Sequence, residues 1–199
     1  MSIVKLNNRA VKDATAVGSI TGLGNLVFIS RSTASSSASV SITSGIDSTY
    51  KEYIFVFNNI HPASGSHFSF QGDTGTNTNY NQTITSSFFQ AEFSEAGSNE
   101  ALGYQSSSDQ AQGTSFQRIF SSVSTTSDDS GSGYLHLFEP SNTTFVKHFM
   151  SISNNVASAY SQNSYMAGYF NTTSAITRVQ FKMSSGNIDS GTIDMYGVL

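Results

Sequence analysis

The chain has 199 residues, with nine Lys or Arg, thirteen Asp or Glu, four His, sixteen Gly, two Pro and neither Cys nor Trp, for a formal charge of −4. Charged residues are 11% of the total, where about a quarter is usual, so ion-pair networks and the cationic stripe that nucleic-acid binding needs are both unsupported. Lack of Cys excludes a disulfide framework, thiolate metal sites, iron–sulfur ligation and a thiol nucleophile, while 37% hydrophobic residues with fifteen Phe and nine Tyr suffice for the core of one domain.

Residues 1–25 stand apart. Ile3, Val4, Leu6 and Val11 offer apolar contacts and Lys5, Arg9 and Lys12 basic ones, ahead of a tether punctuated by Gly18, Gly22 and Gly24. This reads as an arm that becomes ordered on docking; a first strand of the following domain is the alternative. No uninterrupted apolar stretch precedes a small-residue cleavage site, so a secretory signal is not expected. No run approaches the ~18 apolar residues of a membrane helix.

From residue 26 onward, short alternating segments are separated by clusters of Ser, Gly, Asn and Asp, the pattern of antiparallel strands with one dry face. Serine-rich residues 32–39 read as a loop and residues 39–43 as a strand. Residues 53–57 are apolar on both faces, which predicts a central strand, ended by Asn58, Asn59 and Pro62. Residues 67–71 alternate, 72–79 are turn chemistry and 80–85 are extended. Residues 87–95 fit a short helix or an edge strand. Further strands are expected at 116–121, 134–138, 144–153, 164–170, 177–183 and 192–198, with a long loop over 121–133. About ten strands without alternating helices predict an all-β fold, an antiparallel β-sandwich of jelly-roll type over residues 26–199 with an N-terminal arm.

The chain lacks a nucleophile elbow, a zinc helix and a phosphate loop, so no enzymatic activity and no cofactor are expected. His136 and His148 fall in neighbouring predicted strands, where Glu139 would be needed to complete a metal site; ordinary hydrogen-bonded histidines are the simpler reading. Asp73, Asn77 and Asn79 have calcium-ligand chemistry without the spacing of a known loop. The pairs Glu92/Glu95, Asp128/Asp129 and Asp189/Asp194 carry no sign of the fixed separation a glycosidase needs. Tyr80, Tyr104, Tyr160 and Tyr165 sit among Ser, Gln and Asn, a composition suited to stacking on sugar rings. Loops rather than sheet faces are expected to make any such contact.

Several segments carry a resemblance. Asp47 to Phe55 (Asp-Ser-Thr-Tyr-Lys-Glu-Tyr-Ile-Phe), Asn59 to Ala63 (Asn-Ile-His-Pro-Ala), Leu135 to Pro140 (Leu-His-Leu-Phe-Glu-Pro), Thr144 to His148 (Thr-Phe-Val-Lys-His) and the stretch from Asn171 to Ile193 resemble virion structural proteins of marine tailed bacteriophages. The C-terminal Gly-Thr-Ile-Asp-Met-Tyr-Gly-Val is similar to strand endings in their tail-fibre, head-fibre and decoration-type jelly rolls. The resemblance covers most of residues 26–198 and transfers no active-site residue. It implies a virion subunit, non-enzymatic, anchored through Ile3, Val4, Lys5, Leu6, Arg9, Val11 and Lys12.

The number of Phe and Tyr exceeds what one sandwich of this length hides comfortably, which predicts a homo-oligomer, a trimer above all, with Phe88, Phe89, Phe93, Phe145 and Phe149 as interface candidates. Other virion proteins are the expected further partners, and neither nucleic acid nor a membrane is. The alternative function is a carbohydrate-binding module contacting a host surface glycan through Tyr80, Tyr104 and Tyr160.

Overall fold

A computed structural model describes residues 25–199. These form thirteen strands and, among the described residues, no helix. The strands are β1 (Leu26–Ser37), β2 (Val40–Ile42), β3 (Glu52–Pro62), β4 (Ser66–Thr74), β5 (Ile84–Ser94), β6 (Glu100–Tyr104), β7 (Ala111–Gly113), β8 (Gln117–Val123), β9 (Gly131–Phe138), β10 (Lys147–Val156), β11 (Tyr160–Phe170), β12 (Ile176–Met183) and β13 (Ile188–Val198). One sheet runs β1-β13-β3-β9-β10-β11-β5-β6, with β7 added on β5, and the other runs β2-β12-β4-β8.

The pairing is nested. β1 lies on β13, β2 on β12, β3 on β9 and β4 on β8, all antiparallel. The chain is thus a long hairpin folded over itself, with its outermost strands paired first to last. Two insertions depart from this: β5 to β7 between β4 and β8, and β10 with β11 between β9 and β12. β5 pairs with β11, so both insertions widen the same sheet to nine strands and leave the other at four.

Strict alternation sets the core. Tyr53, Phe55 and Phe57 of β3 point inward and are fully buried, as are Leu135 and Leu137 of β9 and Phe68 and Phe70 of β4. Phe181 is the hub, with ring centroids of Phe57, Phe55, Phe68 and Phe70 at 5.3, 5.6, 5.8 and 6.3 Å. Each buried aromatic of this kind contributes about 2 to 3 kcal/mol of transfer free energy. Gly131 opens β9 because a β-carbon there would fall 2.5 Å from the Phe120 ring.

Four local expectations are revised. Most of residues 32–39 belongs to β1: the serines alternate about the inward Ala34, and pairing to β13 holds them extended. Residues 87–95 lie almost wholly in β5, because Phe88 and Gln90 alternate inward with Phe89 and Ala91 outward. β3 continues through Asn58 and Asn59 to Pro62 across an irregularity in register, with Asn59 at φ 51°. The loop expected over 121–133 shrinks, since β8 extends to Val123 and β9 starts at Gly131.

Candidate functional site

Paired residues of antiparallel strands share a face, so register alone shows what the wide sheet presents away from its partner. One row across eight strands reads Arg31, Asp194, Val56, Tyr134, Ile152, Tyr165, Phe89 and Tyr104. The neighbouring row reads Phe28, Tyr196, Ile54, His136, Met150 and Ala167. Ten large apolar side chains are exposed among the described residues, and eight of them, Leu26, Phe28, Phe89, Phe93, Leu102, Tyr104, Tyr134 and Met150, lie on this face. No other layer of the described residues covers it.

The face is stiffened by its own contacts. Phe89 stacks on Tyr165 at 4.8 Å and 4°, and Phe28 meets Tyr196 edge-on at 5.6 Å. Its central polar groups are hydrogen-bonded to one another. Arg31 donates Nε to Asp194 Oδ1 and Nη2 to Oδ2, both at 2.7 Å, and these bonds hold the buried Asp194 carboxyl below the usual carboxylate range. His136 Nδ1 is hydrogen-bonded to Glu52, its neighbour on β3.

At one margin of the face lies a cleft of about 470 Å³ lined by Phe138, Asn142, Phe145, Val146 and His148. Local chemistry builds its rim. Asn142 Oδ1 accepts from the Thr144 and Phe145 amides at 2.7 and 2.9 Å, a side-chain turn of the kind Asn favours. Below it the buried Lys147 donates Nζ to the carbonyls of Phe145 and Thr172 at 2.8 and 3.2 Å. Burial pushes that ammonium below its usual pKa, and the two carbonyls fix the turn that exposes Phe145.

The residues singled out in the sequence separate under this geometry. Of the interface candidates, Phe89 and Phe93 lie on the open face and Phe145 beside it. Phe88 and Phe149 do not qualify: both are fully buried in the core, because they alternate with outward neighbours. Among the tyrosines proposed for sugar stacking, Tyr104 is exposed and donates its hydroxyl to Asp109. Tyr160 is half-buried and its hydroxyl accepts from Asn99 Nδ2 at 3.2 Å. Tyr80 is 5% exposed, so its ring has no free face for a ligand. The anchoring residues Ile3, Val4, Lys5, Leu6, Arg9, Val11 and Lys12 lie outside the described residues.

The other candidates resolve likewise. Glu139 turns to Lys51, 3.5 Å away, and to Asn142, whose Nδ2 donates to it at 2.8 Å, so it does not join the two histidines. Both contacts lower its pKa, the Asn142 hydrogen bond more. Among the described residues, no group of three His, Asp or Glu is placed to hold a metal ion. Asp73 is fully buried and serves the backbone, accepting from the amides of Thr74 and Tyr80, both at 2.8 Å, and from Gln82 Nε2 at 3.1 Å.

Tyr165, grouped in the sequence with the sugar-stacking tyrosines, stacks instead on Phe89; sequence reasoning missed Tyr134, Met150 and Ile152. Their signal was present: each is an apolar residue at the outward position of an otherwise alternating strand. No family model, curated protein or solved structure matches the chain.

Proposed function

We propose that the chain is a non-enzymatic structural subunit of a tailed-bacteriophage virion, a fibre or capsid-decoration component that assembles as a homotrimer. In this reading residues 1–25 anchor it and the sandwich projects. The observation that carries the reading is the gathering of exposed apolar side chains on one uncovered sheet face. Eight strands at about 4.8 Å spacing and about ten residues of 3.3 Å each give a face of roughly 1,000 Å². A stable interface buries about 800 Å² per partner. Arg31 and Asp194 neutralise each other on the face, which leaves Glu100 at its β6 edge as an exposed carboxylate. A second copy of the chain is therefore the occupant the face suits best.

The finer fold assignment belongs to the same proposal. The nested pairing of β1 with β13, β2 with β12, β3 with β9 and β4 with β8 supports a jelly roll, in which a long hairpin is rolled into two facing four-stranded sheets, here widened by β5 to β7, β10 and β11. Viral capsid domains are among the users of that architecture. The similarity of several segments to marine phage virion proteins points the same way.

Electron microscopy of particles that carry the chain tests the reading. The expected map places the wide sheet's outer face against another copy and residues 1–25 on the particle. A map in which the wide sheet's outer face meets no second copy would overturn it.

A further inference from the structure

The cations of the chain are unevenly placed. Among the described residues, Arg31 and Lys51 face carboxylates and Lys147 is buried on carbonyls. The other three, Arg118, Arg178 and Lys182, lie on β8 and β12 with no carboxylate of the described residues within 4.0 Å. All three are on the outward side of the four-stranded sheet, because their neighbours Val179, Phe181 and Met183 fill the core and Arg118 pairs through Ser69 with Lys182. Arg118, Ser69 and Lys182 form a row across three strands, so the two cations stand about 10 Å apart at the backbone.

Over this row the segment after β6 folds back and encloses a pocket of about 320 Å³, whose walls include His67, Ser107, Ser108, Asp109, Phe116 and Arg118. Arg118 is half-buried and donates Nη1 to Ser108 Oγ at 2.7 Å. A guanidinium has five N–H donors, and no acid of the described residues is ion-paired with this one. Lys182 Nζ sits 4.1 Å from the centroid of the Phe116 ring, at the wall. A half-buried cation without a counter-charge is a cost the fold carries unless something anionic fills the pocket.

We infer that this pocket binds the carboxylate of a small acidic ligand, with Arg118 as its fork-shaped anchor, Ser107 and Ser108 as hydroxyl donors and Lys182 at the rim. A singly charged carboxylate fits better than a phosphate dianion, because Asp109 is also in the wall, its carboxylate oriented by the Tyr104 hydroxyl. A guanidinium matches a planar carboxylate with two parallel hydrogen bonds. The volume suits a monosaccharide or an amino acid, at the small end of ligand pockets. The inference does not rest on self-assembly, although Tyr104 of the open face reaches Asp109 in this wall.

His67 supplies a built-in reporter. Burial, and next Arg118, keep its imidazole below the usual pKa, and the ionisable groups that line the pocket with it are Asp109 and Arg118. A bound carboxylate offsets the Arg118 charge and raises the His67 pKa.

The test is titration of the full chain with sodium glucuronate, sodium glutamate and, as the neutral control, glucose, followed by calorimetry and by the His67 ring resonances. Saturable millimolar or tighter binding of one or both acids, at least about tenfold weaker glucose binding and an upward His67 shift are expected. Glucuronate alone would mark an acidic sugar as the ligand, glutamate alone an acidic amino acid. Arg118→Gln should reduce binding at least about tenfold, and if that variant does not fold, Ser108→Ala should weaken binding in a folded protein. Failure of both acids to bind, or equal binding by a folded Arg118→Gln chain, would overturn the inference.

Discussion

Phe89 and Tyr165 lie face to face across the β5–β11 pair, 4.8 Å apart and 4° from parallel, on the side of the sheet that no second layer of the described residues covers. Their stack contrasts with Phe88, one residue away, which is fully buried among the core side chains. Phe88→Ala should therefore cost about 3 to 5 kcal/mol through lost transfer energy and a cavity. Phe89→Ala should cost about 1 kcal/mol, the value of an aromatic pair beyond its area. Urea unfolding of both variants at a concentration where the chain is monomeric gives the comparison. A larger loss at Phe89 would contradict the assignment of faces.

Asp73 organises the segment between β4 and β5 from inside. Its carboxylate satisfies two backbone amides and one side-chain amide, so Asp73→Ala leaves donors without partners, one of them on the buried Tyr80. The expected loss is about 2 to 4 kcal/mol, taking 1 to 3 kcal/mol for each buried donor left unmade. Asp73→Asn, which keeps one acceptor oxygen, should lose less. Thermal unfolding of the two variants checks the order, and faster hydrogen exchange at the Tyr80 amide locates the damage.

The architecture was largely legible because β12 alternates cleanly and β3 and β9 stand out as short apolar runs between turn residues. Ser-rich β1 was not, since serine marks loops as readily as strand edges and only pairing with β13 decides between them. The open face was harder. Phe88 and Phe89, or Tyr134 and Leu135, are adjacent aromatic or aliphatic residues whose composition says that both faces are apolar, but not which one meets the second sheet. Tyr80 looked like a loop aromatic available to a ligand; its burial follows from the hydrogen bond of its amide to Asp73, a contact no local pattern encodes. The Arg118 pocket depends on the segment after β6 folding over the small sheet, which periodicity does not reveal.

Stability should fall with acid in two stages. Burial and Arg118 depress the His67 pKa, so its contribution is complete above about pH 6.5, the unfolded value, and is lost as pH falls through the folded value. Asp194, depressed by its hydrogen bonds with Arg31, contributes fully above about pH 3.9 and loses that contribution further down. His67→Gln should flatten the first stage and Asp194→Asn the second. Urea midpoints measured from pH 8 to pH 3 would show this, and unchanged slopes in both variants would contradict it.

The core described for the domain begins at Ala34, with Ile29 packed against it. Deleting residues 1–20 should therefore leave a folded chain with the same cooperative unfolding but without attachment to particles. Circular dichroism melts and co-sedimentation with particles measure the two properties separately. A truncated chain that fails to fold would make that segment an integral strand rather than an anchor.

The central claim is that the open face of the wide sheet is buried against further copies of the chain. Light scattering coupled to size exclusion, at a loading of tens of micromolar, tests it most directly. Three chain masses are expected for the wild type and one for a folded Phe89→Ser/Tyr165→Ser variant. A clean monomer for the wild type, or a variant that assembles as well as the wild type, would contradict the account.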